Sequence, residues 1–479
     1  MNEIEWKPTK DANIALHQQI YDFLKSKIMA GEWTVGTRIP TQRSLAQQFE
    51  VNRSTIVFAL DGLIADGLVE TKVGSGTRVI NNTWSLLTST PPPDWKSYVS
   101  SGIHKPNISM IQEINRAEAN RNFIRLGTGE LSPDLLPNAQ MKEILQVDDK
   151  NDLSLGYTEP KGLVSLRRTV SHYLRSKGIV ASPDSILIVS GGLQALQLIS
   201  IGLLKRGSTI LHESPSYLNS VHVFQSAGMN LVGVPMDQEG IKHNEIERVK
   251  RQHQAALLYT IPSFHNPTGV LMNEQRRSEV MTVCERASLP IIEDDVYGDL
   301  WFEGPPPKPL KEQDTQGNVL YIGSVSKTLS PGLRVGWIVG PEPVIDRLAD
   351  IKMQTDYGSS SLSQYVVEKW LSSGLYNDFL ERVKVELKHR RDFMIQLLHQ
   401  YFSEIASWSV PKGGFYIWLK FDVEVSTSKL FDLALKEQIL LNPGMIYDKN
   451  DFEHIRLSYS YASLEQIEVG LIRLAGLIR

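Results

Sequence analysis

The sequence predicts two folded units, a small mainly helical α+β unit and a large α/β unit. Three observations predict them. Short amphipathic helices and a glycine-turned hairpin fill residues 12–80. A proline triplet, Pro91-Pro92-Pro93, stands in a segment of little regular pattern, 81–120, that reads as a linker, with a short helix expected over 105–119 (Ile108, Ile111, Glu113, Ala117). From 121 to 479, apolar strand-like runs alternate with amphipathic helices, the pattern of a mostly parallel sheet with a small α+β subdomain. At roughly 150 residues per domain, 479 residues fit one small and one large unit. A composition of 41% hydrophobic and 22% charged residues excludes a mostly disordered chain. No run approaches the ~18 apolar residues of a membrane helix. The segment Met1 to Trp6 lacks the basic region and apolar core of a signal peptide. The single cysteine, Cys284, excludes an internal disulfide and a Cys-rich zinc site, and suits a reducing cytoplasm. No metal-ligand pattern is seen. The net charge of −4 gives no overall pointer to nucleic acid.

In the small unit, Leu16, Ile20, Phe23, Leu24 and Ile28 recur at helical spacing over 14–29. Thr41 is placed to cap a second helix carrying Leu45, Ala46 and Phe49. Asn52 is placed to cap a third, with Val51 and Ile56 spaced as a hydrophobic staple. Ile56, Leu60, Leu63 and Ile64 are expected to face inward. Leu68–Lys72 and Thr77–Ile80 flank Val73-Gly74-Ser75-Gly76, a hairpin. Two short helices on a tight turn, followed by a hairpin, form a winged helix-turn-helix whose second helix can enter a major groove. Arg53, Ser54 and Thr55 open that helix: Arg53 can read a guanine edge or grip a phosphate, and the hydroxyls can donate to phosphates. Residues 1–80 hold nine Lys+Arg and nine Asp+Glu, so any basic face is local: Arg38, Arg43 and Arg53 meet only Glu50 between 36 and 57. One copy should bind DNA weakly, and a dimer is needed for useful affinity.

The stretch GEWTVGTRIPTQRSLAQQFEVNRSTIVFALDGLIADGLVETKVGSGTRV resembles the GntR group of bacterial winged-helix regulators. The resemblance implies that Arg43, Arg53 and the Gly74–Gly76 wing contact DNA. Gln42 departs from it, since the family usually has serine there.

In the large unit, chemistry-bearing residues follow apolar runs. Gly323 to Gly336 follows Val319–Ile322 and holds Lys327 among hydroxyls, with Arg334 beyond. Ligands in such sheets gather at the carboxyl ends of strands. A lysine there suits an aldehyde cofactor, held as a Schiff base; Ser324 and Arg334 suit its phosphate. Asp294, after Pro290–Ile292, suits a protonated pyridine nitrogen; Asp295 is the close rival. Tyr297 suits the ring hydroxyl, as does Asn266 after the run Leu257–Tyr259. Gly192 and Leu193 open a helix after Ile186–Val189, where backbone N–H groups bind phosphate. Tyr217, after Thr209–His212, can stack on the ring. Cys284 fits a buried apolar position, His265 a hydrogen-bonded neighbour, and the charges of 378–392 a solvated helix face.

These motifs, from about Phe123 onward, resemble the fold-type I pyridoxal 5′-phosphate aminotransferases. The resemblance implies that Tyr157 reaches the phosphate across a dimer interface. It also implies that Arg456 binds a substrate α-carboxylate, with Gly127 in a segment that touches the same group. Joined to the winged helix, the whole chain resembles the MocR-type subfamily of GntR regulators. This implies a transcription regulator, a homodimer commonly head-to-tail, whose large domain senses pyridoxal phosphate, an amino compound or both; we read it as sensing an amino compound that forms an external aldimine in place of Lys327. The alternatives are a working amino acid aminotransferase and a sensor of pyridoxal phosphate level itself.

Overall fold

The computed structural model describes residues 6–9, 14–72, 76–82, 94–102, 108–146 and 156–478. They divide into two units, Met1–Gly102 and Ile103–Arg479. In the small unit, α1 (Leu16–Met29), α2 (Gln42–Gln48) and α3 (Arg53–Ala65) precede an antiparallel hairpin of β1 (Val69–Lys72) and β2 (Gly76–Val79). Apolar residues three and four apart give each long helix one inward stripe. Ile20, Leu24 and Ile28 of α1 meet Leu45 of α2 and Ile56, Leu60 and Leu63 of α3, all buried. Val69 and Val79, paired across the hairpin, close the core. Thr41 caps α2 by accepting from Ser44 N at 3.2 Å. Asn52 holds the cap position of α3 in extended backbone, but its side chain makes no capping bond. Ile64 is 40% exposed rather than inward, because the stripe turns past it to Leu63.

The large unit carries β3 (Ile124–Arg125), then β4 (Ile186–Val189), β5 (Thr209–Ser214), β6 (Asn230–Asp237), β7 (Gly240–Ile241), β8 (Ala255–Thr260), β9 (Ile291–Asp294), β10 (Val319–Ser324) and β11 (Gly336–Val339). Eight of these form one sheet in the order β4-β11-β10-β9-β8-β5-β6-β7. Neighbouring pairs from β10 through β6 are parallel, and β11 runs antiparallel between β10 and β4. β4, β9 and β10 are buried along their whole length, as a sheet covered on both faces requires. A smaller antiparallel sheet has the order β12-β13-β16-β15, from β12 (Ala406–Trp408), β13 (Tyr416–Phe421), β15 (Asn442–Pro443) and β16 (His454–Ser458). β14 (Ile439–Leu440) pairs with β3.

Two regions differ from the sequence reading. Ser109–Glu118 is the short helix expected within 105–119, but instead of forming part of a spacer it buries Ile111, Ile114 and Ala117 in the large unit's core. The charges of 378–392 lie on the helix Leu375–Tyr401, and not all are solvated. Lys384, Arg390 and Arg391 are buried. Arg390 spends its donors on Ser132 Oγ, Ala462 O, Glu386 and Asp134, and Arg391 reaches Pro411 O, which makes their burial tolerable. Cys284 is buried as expected, and burial pushes its thiol up to about 12.

Leu24 lies at the centre of the small core, fully buried. Leu24→Ala should cost about 3 kcal/mol. Amide exchange on the full chain should then show protection within 16–79 lowered about a hundredfold, with that of 121–474 unchanged.

Candidate functional site

Five parallel strands of the large sheet, β4, β5, β8, β9 and β10, deliver their carboxyl ends to one cavity of about 460 Å³. Lys327 stands in the turn after β10, half-buried, and donates from Nζ to Gly129 O at 2.5 Å. Ser324 pins that turn. Its Oγ accepts from Ser326 N at 3.1 Å and lies 3.0 Å from Val335 O. Nearby, Arg334 takes left-handed backbone (φ 54°) and donates from Nη2 to Ser190 O at 2.7 Å. Its guanidinium crosses Gly191, itself at φ +90°, where a Cβ would fall 2.6 Å from Nη2, so only glycine allows the approach. Gly192 and Leu193 then open a 12-residue helix whose first N–H groups have no intrahelical acceptor. Arg334, Ser324, Ser326 and this helix start line one corner of the cavity, a set of donors suited to an anion.

Asp294, the last residue of β9, faces the cavity. Its Oδ2 accepts from Tyr259 at 2.7 Å, while its buried Oδ1 has no partner among the described residues. Burial raises its carboxyl to about 6, against the pull of the Tyr259 bond. Asp295 points elsewhere, 3.0 Å from Lys177 Nζ and accepting from Tyr321 at 2.8 Å. The cavity therefore meets Asp294 and not its rival. Tyr217 and Tyr297 also line it. The Tyr297 hydroxyl is 2.9 Å from that of Tyr416, and burial raises both the Tyr217 and Tyr297 phenols, leaving them protonated.

Arg456 projects from β16 and is 5% exposed. It donates to Asn266 Oδ1 at 2.7 Å and to Gly127 O at 2.6 Å, and its Nε has no partner among the described residues. Its guanidinium carbon lies 4.1 Å from the Tyr416 ring centre and 4.9 Å from that of Tyr447, a cation–π pair of contacts. Glu118 acts on it at longer range, and no carboxylate lies within 4 Å of it among the described residues. Gly127 contributes only its carbonyl, because a Cβ there would fall 2.1 Å from Asn442 Oδ1. Tyr157 does not reach the cavity: it is 85% exposed, with its ring against Tyr357. An amine, an anion corner, a buried carboxylate with one oxygen unpartnered and a guanidinium with no ion pair within 4 Å, both among the described residues, fit a phosphorylated pyridine aldehyde with a carboxylated ligand beside it.

In the small unit, Arg43 and Arg53 are exposed, as is Ser54, and Thr55 is half-buried. Arg53 donates from Nε and Nη2 to Gln42 Oε1 at 3.1 and 3.0 Å, so the residue that departs from the family pattern aims an arginine. Gly76 takes φ +78°. Gly74 lies outside the described residues.

Residues 121–474 match the aminotransferase class I and II family, and residues 16–79 match the gntR family of bacterial regulatory proteins. An uncharacterized HTH-type transcriptional regulator of Bacillus subtilis strain 168, YisV, is 56% identical over 98% of this chain and 96% of its own. The chain belongs to the GntR-family transcriptional regulators that carry an aminotransferase domain. The HTH-type transcriptional regulator NorG of Staphylococcus aureus strain N315 is 38% identical, over 91% of this chain and 98% of its own. Two solved structures share the regulator's larger fold. Kynurenine aminotransferase of Pyrococcus horikoshii, in complex with PMP, superposes with a TM-score of 0.75 at 30% identity, covering 80% of this chain and 98% of its own. LysN of Thermus thermophilus, an α-aminoadipate aminotransferase complexed with N-(5′-phosphopyridoxyl)-L-leucine, superposes at 0.71 and 29%, covering 80% and 98%.

Several of the regulator's lining residues escaped the sequence reading: Glu118, Glu130, Ser326, Tyr416, Asn442 and Tyr447. For Glu118 a signal existed. It stands four residues past Ile114 and seven past Ile111, a carboxylate on a stripe otherwise apolar.

Burial of Asp294 has a measurable consequence. Its folded carboxyl is raised from 3.8 to about 6, so the folded form holds the proton more tightly than the unfolded form. The group therefore costs stability above about pH 6 and nothing below about pH 4. Asp294→Asn should raise the cofactor-free regulator's Tm by about 2–4 °C at pH 7.5. Differential scanning calorimetry at pH 4 should show the gain gone.

Proposed function

We propose that this regulator binds operator DNA through its small unit, holds pyridoxal 5′-phosphate in the large unit's cavity, and senses there a primary amine that carries a carboxylate. The observation that carries this is the meeting of Lys327, Asp294, Arg334 and Arg456 on one cavity in a chain that begins with a GntR-family domain. When bound, the cofactor supplies an aldehyde carbon that exchanges one primary amine for another and a ring that withdraws electrons. Arg334, Ser324 and the helix start at Gly192 and Leu193 hold its phosphate. Asp294 keeps a proton on its ring nitrogen. Tyr297 and Asn266 hydrogen-bond its ring oxygen, and Tyr217 stacks on the ring. Lys327 presents the resident amine, and Arg456 with the Gly127 segment takes the carboxylate of the incoming one.

A change at Lys327 alters DNA affinity to the extent that the amine-bound and amine-free forms differ in their affinity for operator. Arg53, Arg43, Ser54, Thr55 and the wing at Gly74 and Gly76 supply the DNA contacts. We further infer a homodimer in a cytoplasmic setting, with exposed Tyr157 available to a partner subunit's phosphate site. A second reading, a working aminotransferase, is favoured by the likeness to kynurenine aminotransferase. It predicts sustained turnover with an oxo acid acceptor. The buried guanidinium of Arg456, with no ion pair within 4 Å among the described residues, speaks against a sensor of cofactor level alone, which would not need it.

Borohydride reduction of the loaded protein should leave one phosphopyridoxyl group per chain, on the peptide containing Lys327. Lys327→Ala should retain none after reduction, and a label found on another lysine would overturn the assignment. An amino acid added before reduction should divert the label from protein to free amine. Arg456→Ala should raise the amino acid concentration needed about a hundredfold, while leaving that of the matching decarboxylated amine unchanged.

A further inference from the structure

The charges facing the cavity do not balance once the proposed ligand contacts are assigned. The cofactor engages Lys327, Arg334 and Asp294, and a ligand carboxylate engages Arg456. Two carboxylates of the lining remain, Glu118 and Glu130. Glu130 has a cation within reach, Arg125 Nη1 at 3.9 Å. Glu118 has none within 4 Å among the described residues, and its Oε1 accepts one hydrogen bond, from Thr128 Oγ1 at 2.9 Å. Glu130 feels both Lys327 and Glu118. Burial raises the Glu130 carboxyl, Lys327 draws it down, and Glu118 pushes it up.

The wall leading to Glu118 is apolar. Ile111 and Ile114 line the cavity from the same helix, on the same stripe. Glu118 and Arg456 favour one another at longer range, and a ligand carboxylate on Arg456, nearly buried with an Nε unpartnered among the described residues, takes up that charge and leaves Glu118 spare. Thr128, which holds Glu118, is the residue after Gly127, whose carbonyl holds Arg456. The carboxylate grip and the spare acid are thus built from one short segment.

We infer that the effector carries, besides its amino and carboxylate groups, a second cationic group at the end of an apolar chain, and that Glu118 binds it. The inference rests on the amine-sensing reading above. A methylene chain lies against Ile111 and Ile114, and its ammonium or guanidinium end supplies the charge that Glu118 lacks. A second carboxylate on the ligand would instead meet Glu118 and Glu130, like charges in a partly desolvated site. The pocket therefore selects basic amino acids over neutral ones and neutral over dicarboxylic ones.

The test uses the full-length protein loaded with pyridoxal phosphate and three probes of similar length: L-lysine, L-norleucine and L-2-aminoadipate. Affinity is read by calorimetry, and entry to the site by the absorbance of the bound cofactor. Lysine should bind about tenfold more tightly than norleucine, and 2-aminoadipate about tenfold more weakly. Glu118→Gln keeps an acceptor for Thr128 and should bring lysine to within about threefold of norleucine. Glu130→Gln should change the preference less, since Arg125 already faces that acid. Norleucine or 2-aminoadipate binding as tightly as lysine would overturn the inference, as would a lysine preference unaltered in Glu118→Gln. If norleucine perturbs the cofactor's absorbance but no preference exists, amine sensing stands and this inference falls. If no probe perturbs it, both fall.

Discussion

Parallel alignment of β8, β9 and β10 is the constraint from which the site follows. Strands that run side by side in one direction end at one edge, and each hands its next residues to the same space. β8 leads to Asn266, β9 ends on Asp294, and β10 leads to Ser324 and Lys327. Buried apolar runs hold this alignment, since slipping a strand by one residue would invert every side chain on it. The antiparallel β11 then brings Gly336 beside Val189 of β4, and the left-handed turn just before it lets Arg334 cross Gly191. Sheet register thus fixes the distance between the anion corner and the amine.

Unbalanced charge gives this frame its chemistry. A buried ion without a counter-charge is costly, and proteins retain one where a ligand supplies the balance. Arg456 is steadied by carbonyl oxygens and tyrosine faces, with Glu118 acting on it only at longer range and no carboxylate paired with it within 4 Å among the described residues. Asp294 leaves one oxygen without a partner, while Asp295 beside it is satisfied by Lys177 and Tyr321. Adjacent residues of one type therefore differ in purpose because the strand end turns one toward the cavity and the other into the core.

The sequence made the strand ends legible because each chemical residue follows a continuous apolar run. Lys327, Asp294, Asn266, Tyr217 and Gly192 meet around one cavity for that reason. The helix-turn-helix was legible from its stripes, apart from Ile64 and the missing Asn52 cap bond. What stayed hidden depends on contacts between distant segments. Nothing local says that the stripe of Ser109–Glu118, next to a proline-rich stretch, is buried in the large unit and walls the cavity. Tyr416, Asn442 and Tyr447 come from the small sheet and its loops, whose packing over the large sheet no single-segment pattern encodes. The Gln42–Arg53 bond joins two helices across a turn, so the departure from the family pattern at Gln42 gains its meaning only in three dimensions.

The most direct test of the account is competition binding to the DNA upstream of the regulator's own gene. Loaded protein would be set against an unrelated duplex at fixed moderate salt, with and without L-lysine. The account predicts a specificity ratio of about a thousandfold or more and an amine-dependent shift in operator affinity of about fivefold or more. Lys327→Ala should keep the specificity and lose the shift. Equal, salt-sensitive binding to both duplexes, or a shift that survives in Lys327→Ala, would contradict it.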